Sequence, residues 1–382
     1  MRRRLLFLAL VLFFLTSCSS ALRFEKIDFS GMPGWSSFRG DPQNTAYLSW
    51  PIKTPNKLLW RFNAKRPLKS SPILVGKILV ITSLNKRVHL LDALSGKNLE
   101  LYKVSSPVST SACADGERIY FGLDAGKETF LALNIRTGEL LWKRSLGHLS
   151  SSPALCSGKV FVGSTDGRLW ALDKIGGESI WEFEMPSSQI STPACVVPSS
   201  PPSTDGVLCL GSADGHLYAV NMDTGGMIWK FKAEGGIYSS PAVKNGRVFF
   251  GSMDGSVYAL NLEDGSLAWK FQTGADIYSS PALAESLLYI GSNDYRVYAL
   301  NQKTGGLVWK SETKGLVRSS PLAAGDKVFF GSYDGSFYVL NRFTGQILWT
   351  YQTDGMISGS PGYYDGKIYI GSEDGFVYCF GP

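Results

Sequence analysis

The chain has 382 residues and a formal net charge of +6, with 18% charged and 13% aromatic residues. The low charge content and the absence of low-complexity segments exclude a disordered polyelectrolyte. A chain of this length ordinarily forms two or three domains, unless it repeats one small unit many times.

The N-terminus is predicted to be a secretory signal. Arg2-Arg3-Arg4 is followed by the apolar run Leu5 to Leu15, which is too short to form a stable transmembrane anchor. Leu15-Thr16-Ser17-Cys18 resembles the bacterial lipobox, which implies cleavage of residues 1–17 and acylation of Cys18. The alternative is ordinary cleavage after Ser19-Ser20-Ala21. Loss of residues 1–17 removes three arginines, so +6 − 3 gives a mature charge of +3, and nucleic acid is not an expected partner.

After an irregular tether and strap predicted at residues 18–57, the chain repeats one unit about every forty residues. Gly251–Asn261 recurs as Gly291–Asn301 and Gly331–Asn341. Within one unit, four short apolar runs alternate with turn pairs such as Asn245-Gly246 and Asp254-Gly255. Four strands in this length predict one blade of a propeller. An α-solenoid is the alternative, but no helical period is present.

The segment that opens each unit occurs eight times. These segments begin at Ser70, Ser109, Ser151, Ser191, Ser239, Ser279, Ser319 and Gly359. The last unit ends at Pro382 without its fourth strand, whereas an unattached copy of that strand, Leu58–Phe62, precedes the first unit. We therefore predict an all-β fold: residues 58–382 form an eight-bladed β-propeller of four-stranded antiparallel blades, closed by the N-terminal strand.

A tryptophan recurs in the fourth strand. It is present as Trp60, Trp142, Trp181, Trp229, Trp269, Trp309 and Trp349. The repeated pattern Ala259–Trp269 resembles the tryptophan-docking motif of the pyrroloquinoline-quinone (PQQ) propeller superfamily, which implies that each ring packs between blades. Trp35–Asp41 similarly resembles the lead-in of many PQQ-like propellers, and we expect it to be a strap lying on the ring. Glu100 takes the tryptophan position in the first unit, where we expect a looser contact.

Residues suited to catalysis are few. His89, His148 and His216 have no partner at metal-ligand spacing, so no metal site is predicted. The repeated Asp-Gly pairs are interpreted as turns rather than as a calcium array.

Five cysteines remain besides Cys18, and an odd number cannot all pair within the chain. They are Cys113, Cys156, Cys195, Cys209 and Cys379. Cys195 and Cys209 flank a Pro-rich insertion at residues 198–206. The sequence leaves a disulfide between them as an alternative but does not favour it, because their expected strand positions are one residue out of register.

The closer resemblance is to PQQ-like propeller lipoproteins of the outer-membrane assembly factor BamB family. It implies a noncatalytic, monomeric scaffold without a cofactor, lipid-anchored at the outer membrane facing the periplasm, that binds protein partners of the β-barrel assembly machinery. One alternative is a PQQ-dependent dehydrogenase, but its typical adjacent cysteines and long insertions are absent. A surface receptor for sugars or peptides is the other.

Partner contacts are predicted on the face that carries the opening segments. The residues that precede these segments form a predicted ring: Lys69, Val108, Ser150, Ile190, Tyr238, Tyr278, Arg318 and Ser358. Tyr and Arg are enriched in binding hot spots, so Tyr238, Tyr278 and Arg318 are the best candidates, with Lys69 beside them. The alternative is that these residues only fill the channel mouth. The 198–206 insertion on the opposite face is a second candidate.

Overall fold

The computed structural model describes residues 35–149, 151–186, 191–196 and 206–382. These residues form no helix, and their strands make eight sheets arranged in a ring. The prediction of an eight-bladed β-propeller is confirmed. No element of the described residues is a helix with the length and apolarity needed to cross a membrane. The predicted signal peptide and Cys18 lie outside the described residues.

Two strands precede the first blade, and the first four blades follow in chain order, each from its inner to its outer strand. The leading strands are β1 (Tyr47–Leu48) and β2 (Lys57–Asn63). Blade 1 contains β3 (Ile73–Val75), β4 (Ile78–Ser83), β5 (Arg87–Asp92) and β6 (Asn98–Lys103). Blade 2 contains β7 (Cys113–Asp115), β8 (Arg118–Gly122), β9 (Phe130–Asn134) and β10 (Leu140–Arg144). Blade 3 contains β11 (Ala154–Cys156), β12 (Lys159–Gly163), β13 (Arg168–Asp173) and β14 (Ser179–Glu184). Blade 4 contains β15 (Ala194–Val196), β16 (Val207–Gly211), β17 (His216–Asn221) and β18 (Met227–Lys232).

The remaining four blades are built in the same way. Blade 5 contains β19 (Ala242–Lys244), β20 (Arg247–Gly251), β21 (Ser256–Asn261) and β22 (Leu267–Gln272). Blade 6 contains β23 (Ala282–Ala284), β24 (Leu287–Ser292), β25 (Arg296–Asn301) and β26 (Leu307–Glu312). Blade 7 contains β27 (Leu322–Ala324), β28 (Lys327–Gly331), β29 (Ser336–Asn341) and β30 (Ile347–Gln352). Blade 8 contains β31 (Gly362–Tyr364), β32 (Lys367–Gly371) and β33 (Phe376–Gly381).

The N-terminal strand completes blade 8. β2 pairs antiparallel with β33, and Trp60 lies opposite Cys379. The sheet order β2-β33-β32-β31 therefore joins the two ends of the repeat region in one blade, as the sequence predicts. Closure removes the unpaired edge that an open array of blades would expose.

Burial explains why the four strands of a blade differ in sequence. In β20 and β21 nearly every side chain is buried, because the neighbouring blades cover both faces of these strands. β22 instead alternates between exposed and less exposed residues, since only part of the outer strand contacts another blade.

The ring has two faces, which we name the funnel face and the turn face. The funnel face carries the connections between blades, such as 273–278, and the turns between second and third strands, such as 252–255. These two segments meet where the Ile277 N–H donates to the Ser252 carbonyl over 3.1 Å. The turn face carries the other two turns of each blade, as where the Leu262 N–H donates to the Gly246 carbonyl over 2.9 Å.

The segment 35–48 lies against the inner strands of five blades. Its carbonyl groups accept hydrogen bonds from the backbone of Leu74, Ala114, Val243, Leu283, Ala323 and Gly325. These residues belong to or immediately follow the innermost strands of blades 1, 2, 5, 6 and 7, so the segment crosses the central channel. We call it the plug.

Candidate functional site

Eight hydroxyl groups form a closed hydrogen-bonded ring around the channel. In each blade a backbone N–H donates to the hydroxyl of the next blade, over 2.8 to 3.2 Å. The residues are Ser71, Ser111, Ser152, Thr192, Ser240, Ser280, Ser320 and Ser360. Because each hydroxyl accepts the backbone bond, its own proton can still donate to a group within the channel. We call this set the hydroxyl ring.

The hydroxyl ring lines a cavity of about 510 Å³ that opens on the funnel face. The predicted contact residues Lys69, Tyr238, Tyr278 and Arg318 all line it. The structure therefore brings together at one funnel the four candidates that the sequence places on separate blades. Lys69 is exposed, whereas the two tyrosines and Arg318 are half-buried.

Tyr238, Tyr278, Arg318 and Tyr333 form a stacked group, which we call the funnel patch. The Tyr238 and Tyr278 ring centroids are 5.4 Å apart. The Arg318 guanidinium carbon lies 4.3 Å from the Tyr278 ring centroid and 5.2 Å from that of Tyr333. Its Nε also donates to Asn293 Oδ1 over 3.2 Å. These contacts hold the guanidinium over flat aromatic surfaces that remain partly open to solvent.

Sequence reasoning missed Tyr333 and Asn293, although a signal for both was present. Each is the residue before the aspartate in the turn between second and third strands of its blade, and these turns lie on the funnel face. Comparing that turn position across blades would have identified both. Burial raises the pKa of Tyr333, so its hydroxyl stays protonated near neutral pH.

The structure corrects one member of the predicted ring. Val108 is buried in the core of blades 1 and 2, whereas Ser109 lines the funnel. The hydrogen bonds place Ser111 in the position of Ser71, one residue later than the sequence alignment assumed. Ser150, Ile190 and most of the 198–206 insertion lie outside the described residues.

The plug supplies the floor of the funnel. Phe38 lines the cavity beside the hydroxyl ring, and Arg39 is buried next to it. Arg39 Nη2 donates to the Pro281 carbonyl over 2.9 Å, and Asn44 Nδ2 donates to the Pro241 carbonyl over 3.0 Å. Burial lowers the pKa of Arg39 to about 9, although Asp41 opposes this shift. The plug is therefore bound to the inner strands through buried polar side chains as well as through its backbone.

The seven tryptophans of the fourth strands lie at the seams between blades. Six of them donate the indole N–H to a backbone carbonyl of the next blade. These bonds join Trp60 to Ala93, Trp142 to Lys174, Trp181 to Met222, Trp229 to Leu262, Trp269 to Gln302 and Trp309 to Arg342. Gly265 has φ +71°, and a Cβ there would lie 2.6 Å from the Trp229 ring. A glycine is required at this contact for both reasons.

Blade 1 reaches its neighbour with a tyrosine instead. Glu100 does occupy the tryptophan register, opposite Leu90. Two residues later, the Tyr102 hydroxyl donates to the Ile135 carbonyl over 3.4 Å, and its ring lies against Gly138. The seam between blades 1 and 2 therefore has an aromatic contact that the one-position alignment did not predict.

The cysteines and histidines whose side chains the structure describes do not line the funnel. Cys113, Cys209 and Cys379 are buried free thiols, Cys156 is buried within blade 3, and burial raises the pKa of Cys379 to about 12. Cys195 lies opposite Leu208 rather than Cys209, which is the one-residue offset that the sequence predicts. Among the described residues no three His, Cys, Asp or Glu side chains are grouped to hold a metal ion.

These features define an eight-bladed propeller of the PQQ-like repeat class with a funnel lined by hydroxyl, aromatic and cationic groups. A family model described as outer membrane protein assembly factor BamB matches residues 53–197, 189–284 and 273–381. The chain therefore belongs to this family.

Curated relatives of two kinds match parts of the chain. A quinone-dependent alcohol dehydrogenase subunit of Gluconobacter oxydans is 28% identical over 193 residues, covering 41% of this chain and 25% of that protein. The assembly factor BamB of Burkholderia pseudomallei is 29% identical over 114 residues, covering 30% of this chain and 29% of that protein. The matches thus span about a quarter of each relative.

A solved structure shares the fold. The crystal structure of BamB from Moraxella catarrhalis aligns with a TM-score of 0.71 and 18% identity, covering 85% of this chain and 99% of that one. At this identity the alignment shows a common architecture and does not transfer a function.

The funnel residues fit a bound PQQ poorly. Lys69 and Arg318 could pair with its carboxylates, but the described lining contains no carboxylate to hold a calcium ion beside it. It also contains no cysteine, so the adjacent cysteine pair typical of the dehydrogenases has no counterpart there. The described groups are suited to hydrogen bonding, stacking and charge pairing.

Proposed function

We propose that this chain is a noncatalytic scaffold lipoprotein of the cell envelope that binds a protein partner and assists the assembly of outer-membrane β-barrel proteins. Family membership supports the assignment, because the matching model covers nearly all of the repeat region. The proposed location is the outer membrane, with the ring in the periplasm and Cys18 as the lipid-anchored residue.

The observation that carries this proposal is the funnel patch. Tyr238, Tyr278 and Arg318 lie on the entries to three consecutive blades and stack on one another. Rigid aromatic rings and arginine contribute most of the binding energy in many protein interfaces, and the aromatic rings bury a large area with little loss of side-chain freedom. Their half-buried state leaves surface for a partner to cover.

The test is affinity purification of the full-length protein from membranes in mild detergent. The wild type should recover components of the β-barrel assembly machinery. A variant with Tyr238→Ala, Tyr278→Ala and Arg318→Glu should lose them and keep its folded content, because surface changes usually cost little stability.

A matched control changes two apolar residues and one cation on the turn face: Ile175→Ala, Phe343→Ala and Lys303→Glu. All three residues are exposed. The control should recover the same components as the wild type. Equal recovery by both variants would contradict the assignment of the funnel patch, and a wild type that recovers no assembly component would contradict the scaffold function.

A quinone-dependent dehydrogenase is the second candidate, because curated relatives of that class match at a similar identity. Incubation with PQQ and calcium should give neither stoichiometric binding nor alcohol-dependent dye reduction. Observation of both would replace the scaffold proposal with an enzymatic one.

A further inference from the structure

Six cations lie together on the funnel face of blade 1 and on the connection that leads into it. They are Lys65, Arg66, Lys69, Lys86, Arg87 and Lys103, and all are exposed except Arg87, which is half-buried. We call them the basic surface.

Hydrogen bonds and strand pairing show that the segments carrying the basic surface are adjacent to one another. Asn85 Nδ2 donates to the Ala64 carbonyl over 2.6 Å, which places Lys65 beside the turn that carries Lys86. The Val104 N–H donates to the Lys86 carbonyl over 3.0 Å, and Arg87 lies directly opposite Lys103 in the sheet. Lys69 continues the surface to the funnel, where it lines the same cavity as Arg318.

Within the described part of the chain, none of these six cations has a carboxylate oxygen within 4.0 Å, although the acidic turn Glu373-Asp374 of blade 8 lies beside the connection that carries Lys65 and Arg66. The ion pairs there involve other cations, and none includes any of the six. Like charges at this spacing repel one another, so an arrangement that only served the fold would be expected to include acidic partners.

Blade 1 departs here from the repeat. In blades 4 to 8 the corresponding turn has an aspartate that accepts a hydrogen bond from a tyrosine in the third strand. The pairs are Tyr218 with Asp214, Tyr258 with Asp254, Tyr298 with Asp294, Tyr338 with Asp334 and Tyr378 with Asp374. At these positions blade 1 has Asn85 in place of the aspartate and His89 in place of the tyrosine. Lys86 and Arg87 directly follow Asn85. The acidic group of the turn is therefore replaced by a neutral amide, and the next two positions carry cations.

Backbone conformation gives an independent indication. Lys86 has φ +64° and Lys65 has φ +67°, a region that side chains other than glycine rarely adopt. Five other blades place a glycine at the position of Lys86: Gly167, Gly215, Gly255, Gly335 and Gly375. Blade 6 places Tyr295 there, also at positive φ (+69°), so the position accepts a side chain at a conformational cost, and in blade 1 that side chain carries a cation.

We propose that the basic surface binds an acidic segment of a protein partner, next to the funnel patch. Uncompensated cations attract carboxylates, and the adjoining aromatic rings provide a surface on which a polypeptide can pack. The stacked rings of the funnel patch favour a polypeptide over lipid headgroups, since a peptide has side chains that can pack on them.

This inference specifies the partner chemistry of the proposed scaffold and so rests on that function, but its test needs no assembly machinery. The probe is a fluorescent twelve-residue peptide of alternating Glu and Gly, added to the full-length protein in non-ionic detergent. Peptide binding without capture of assembly components would support the basic surface and contradict the proposed function, so the two failures are distinguishable.

Two variants with the same net charge separate a local site from a general charge effect. Lys65→Glu, Lys86→Glu and Lys103→Glu change the basic surface, whereas Lys230→Glu, Lys303→Glu and Lys310→Glu change exposed lysines of blades 4 and 6. The first variant should weaken peptide binding at least tenfold, and the second less than threefold. Wild-type binding should also weaken as salt rises. Equal losses in the two variants, or no wild-type binding, would overturn the proposal.

Vesicles of phosphatidylcholine with about one third phosphatidylglycerol test the lipid alternative. If the wild type binds these vesicles through the basic surface and fails to bind the peptide, the protein-partner proposal is wrong.

A single change, Lys86→Gly, should raise the midpoint of thermal unfolding, because glycine accepts the left-handed backbone, and should still weaken peptide binding. Unchanged peptide binding in this variant would contradict the proposal.

Discussion

The backbone N–H of Ser360, in the last blade, donates to the hydroxyl of Ser71, in the first blade, over 2.9 Å. This bond completes the hydroxyl ring, so the two ends of the repeat region are joined at the channel as well as at the outer strand of blade 8. The same interaction is present at each of the remaining blade junctions. One hydroxyl side chain per blade therefore links that blade to its neighbour at the channel.

Ser71→Ala should therefore destabilise the ring. The variant leaves the Ser360 N–H without its partner in a buried place, since Ser71 and Ser360 are each only 3% exposed. An unsatisfied buried donor costs about 1–3 kcal/mol. Chemical denaturation of the two proteins would measure this cost.

Ser71→Thr is the matched control, because Thr192 provides the same hydroxyl in blade 4. This variant should retain most of the wild-type stability. If Ser71→Ala unfolds at the same denaturant concentration as Ser71→Thr, the hydroxyl ring contributes nothing to closure.

Trp60→Ala should cost about 3 kcal/mol, the lower end of the range for removing a large aromatic side chain, since Trp60 is half-buried. The ring of Trp60 contacts blade 1 at Gly96, and its indole N–H donates to the Ala93 carbonyl over 3.1 Å. Trp181 makes the equivalent contacts at an internal junction, with a bond of 3.1 Å to Met222. Trp181→Ala should thus lose a similar free energy of unfolding. A loss below about 1 kcal/mol for Trp60→Ala alone would show that closure through β2 is weak.

The repeat itself was readable from sequence because strand alternation and turn residues are local properties. The hydroxyl ring was visible only as the recurring Ser-Ser-Pro, whose hydrogen bonds join residues about forty positions apart. The repeat is least regular at the junction between blades 1 and 2. Val108 was assigned to the funnel because Ser109-Thr110-Ser111 matches Ser-Ser-Pro by type, whereas the fold places Ser111 in the hydroxyl ring. A position-by-position alignment compares Glu100 with the tryptophans and does not consider its neighbours. It therefore misses Tyr102, whose ring reaches the seam from two residues further along the strand.

The proposed lipid anchor predicts a clear effect of Cys18→Ser. Without the thiol no acyl group can be attached, so the variant should accumulate as an uncleaved precursor or as a soluble protein. Membrane fractionation and mass spectrometry of the N-terminus would measure this. Cys156→Ser is the control, since this thiol lies within blade 3, and it should still fractionate with membranes. Unchanged fractionation of Cys18→Ser, with cleavage after Ala21, would favour an ordinary signal peptide.

Because His89 is buried, we expect the free energy of unfolding to fall between neutral and acidic pH. His89 is 3% exposed, neither of its ring nitrogens has a hydrogen-bond partner among the described residues, and its ring packs against Phe62 of the closing strand at a centroid distance of 5.4 Å. Burial, together with the nearby charge of Arg87, lowers the pKa of His89 to about 4 from its usual 6.5. The folded protein therefore binds this proton more weakly than the unfolded chain does. The contribution to stability is fully present above pH 6.5 and is lost as the pH falls toward 4, with a total of about 3 kcal/mol.

His89→Phe should remove this pH dependence. The difference in unfolding free energy between variant and wild type should stay constant above pH 6.5 and should grow in favour of the variant down to pH 4. Taking the difference cancels the carboxylates that titrate in both proteins. His148→Phe, at an exposed histidine of blade 2, is the control and should follow the wild type across this range. If the His89→Phe curve runs parallel to the wild-type curve throughout, then the pKa of His89 is the same in the folded and unfolded chains, and its burial does not control the acid sensitivity of the closing seam.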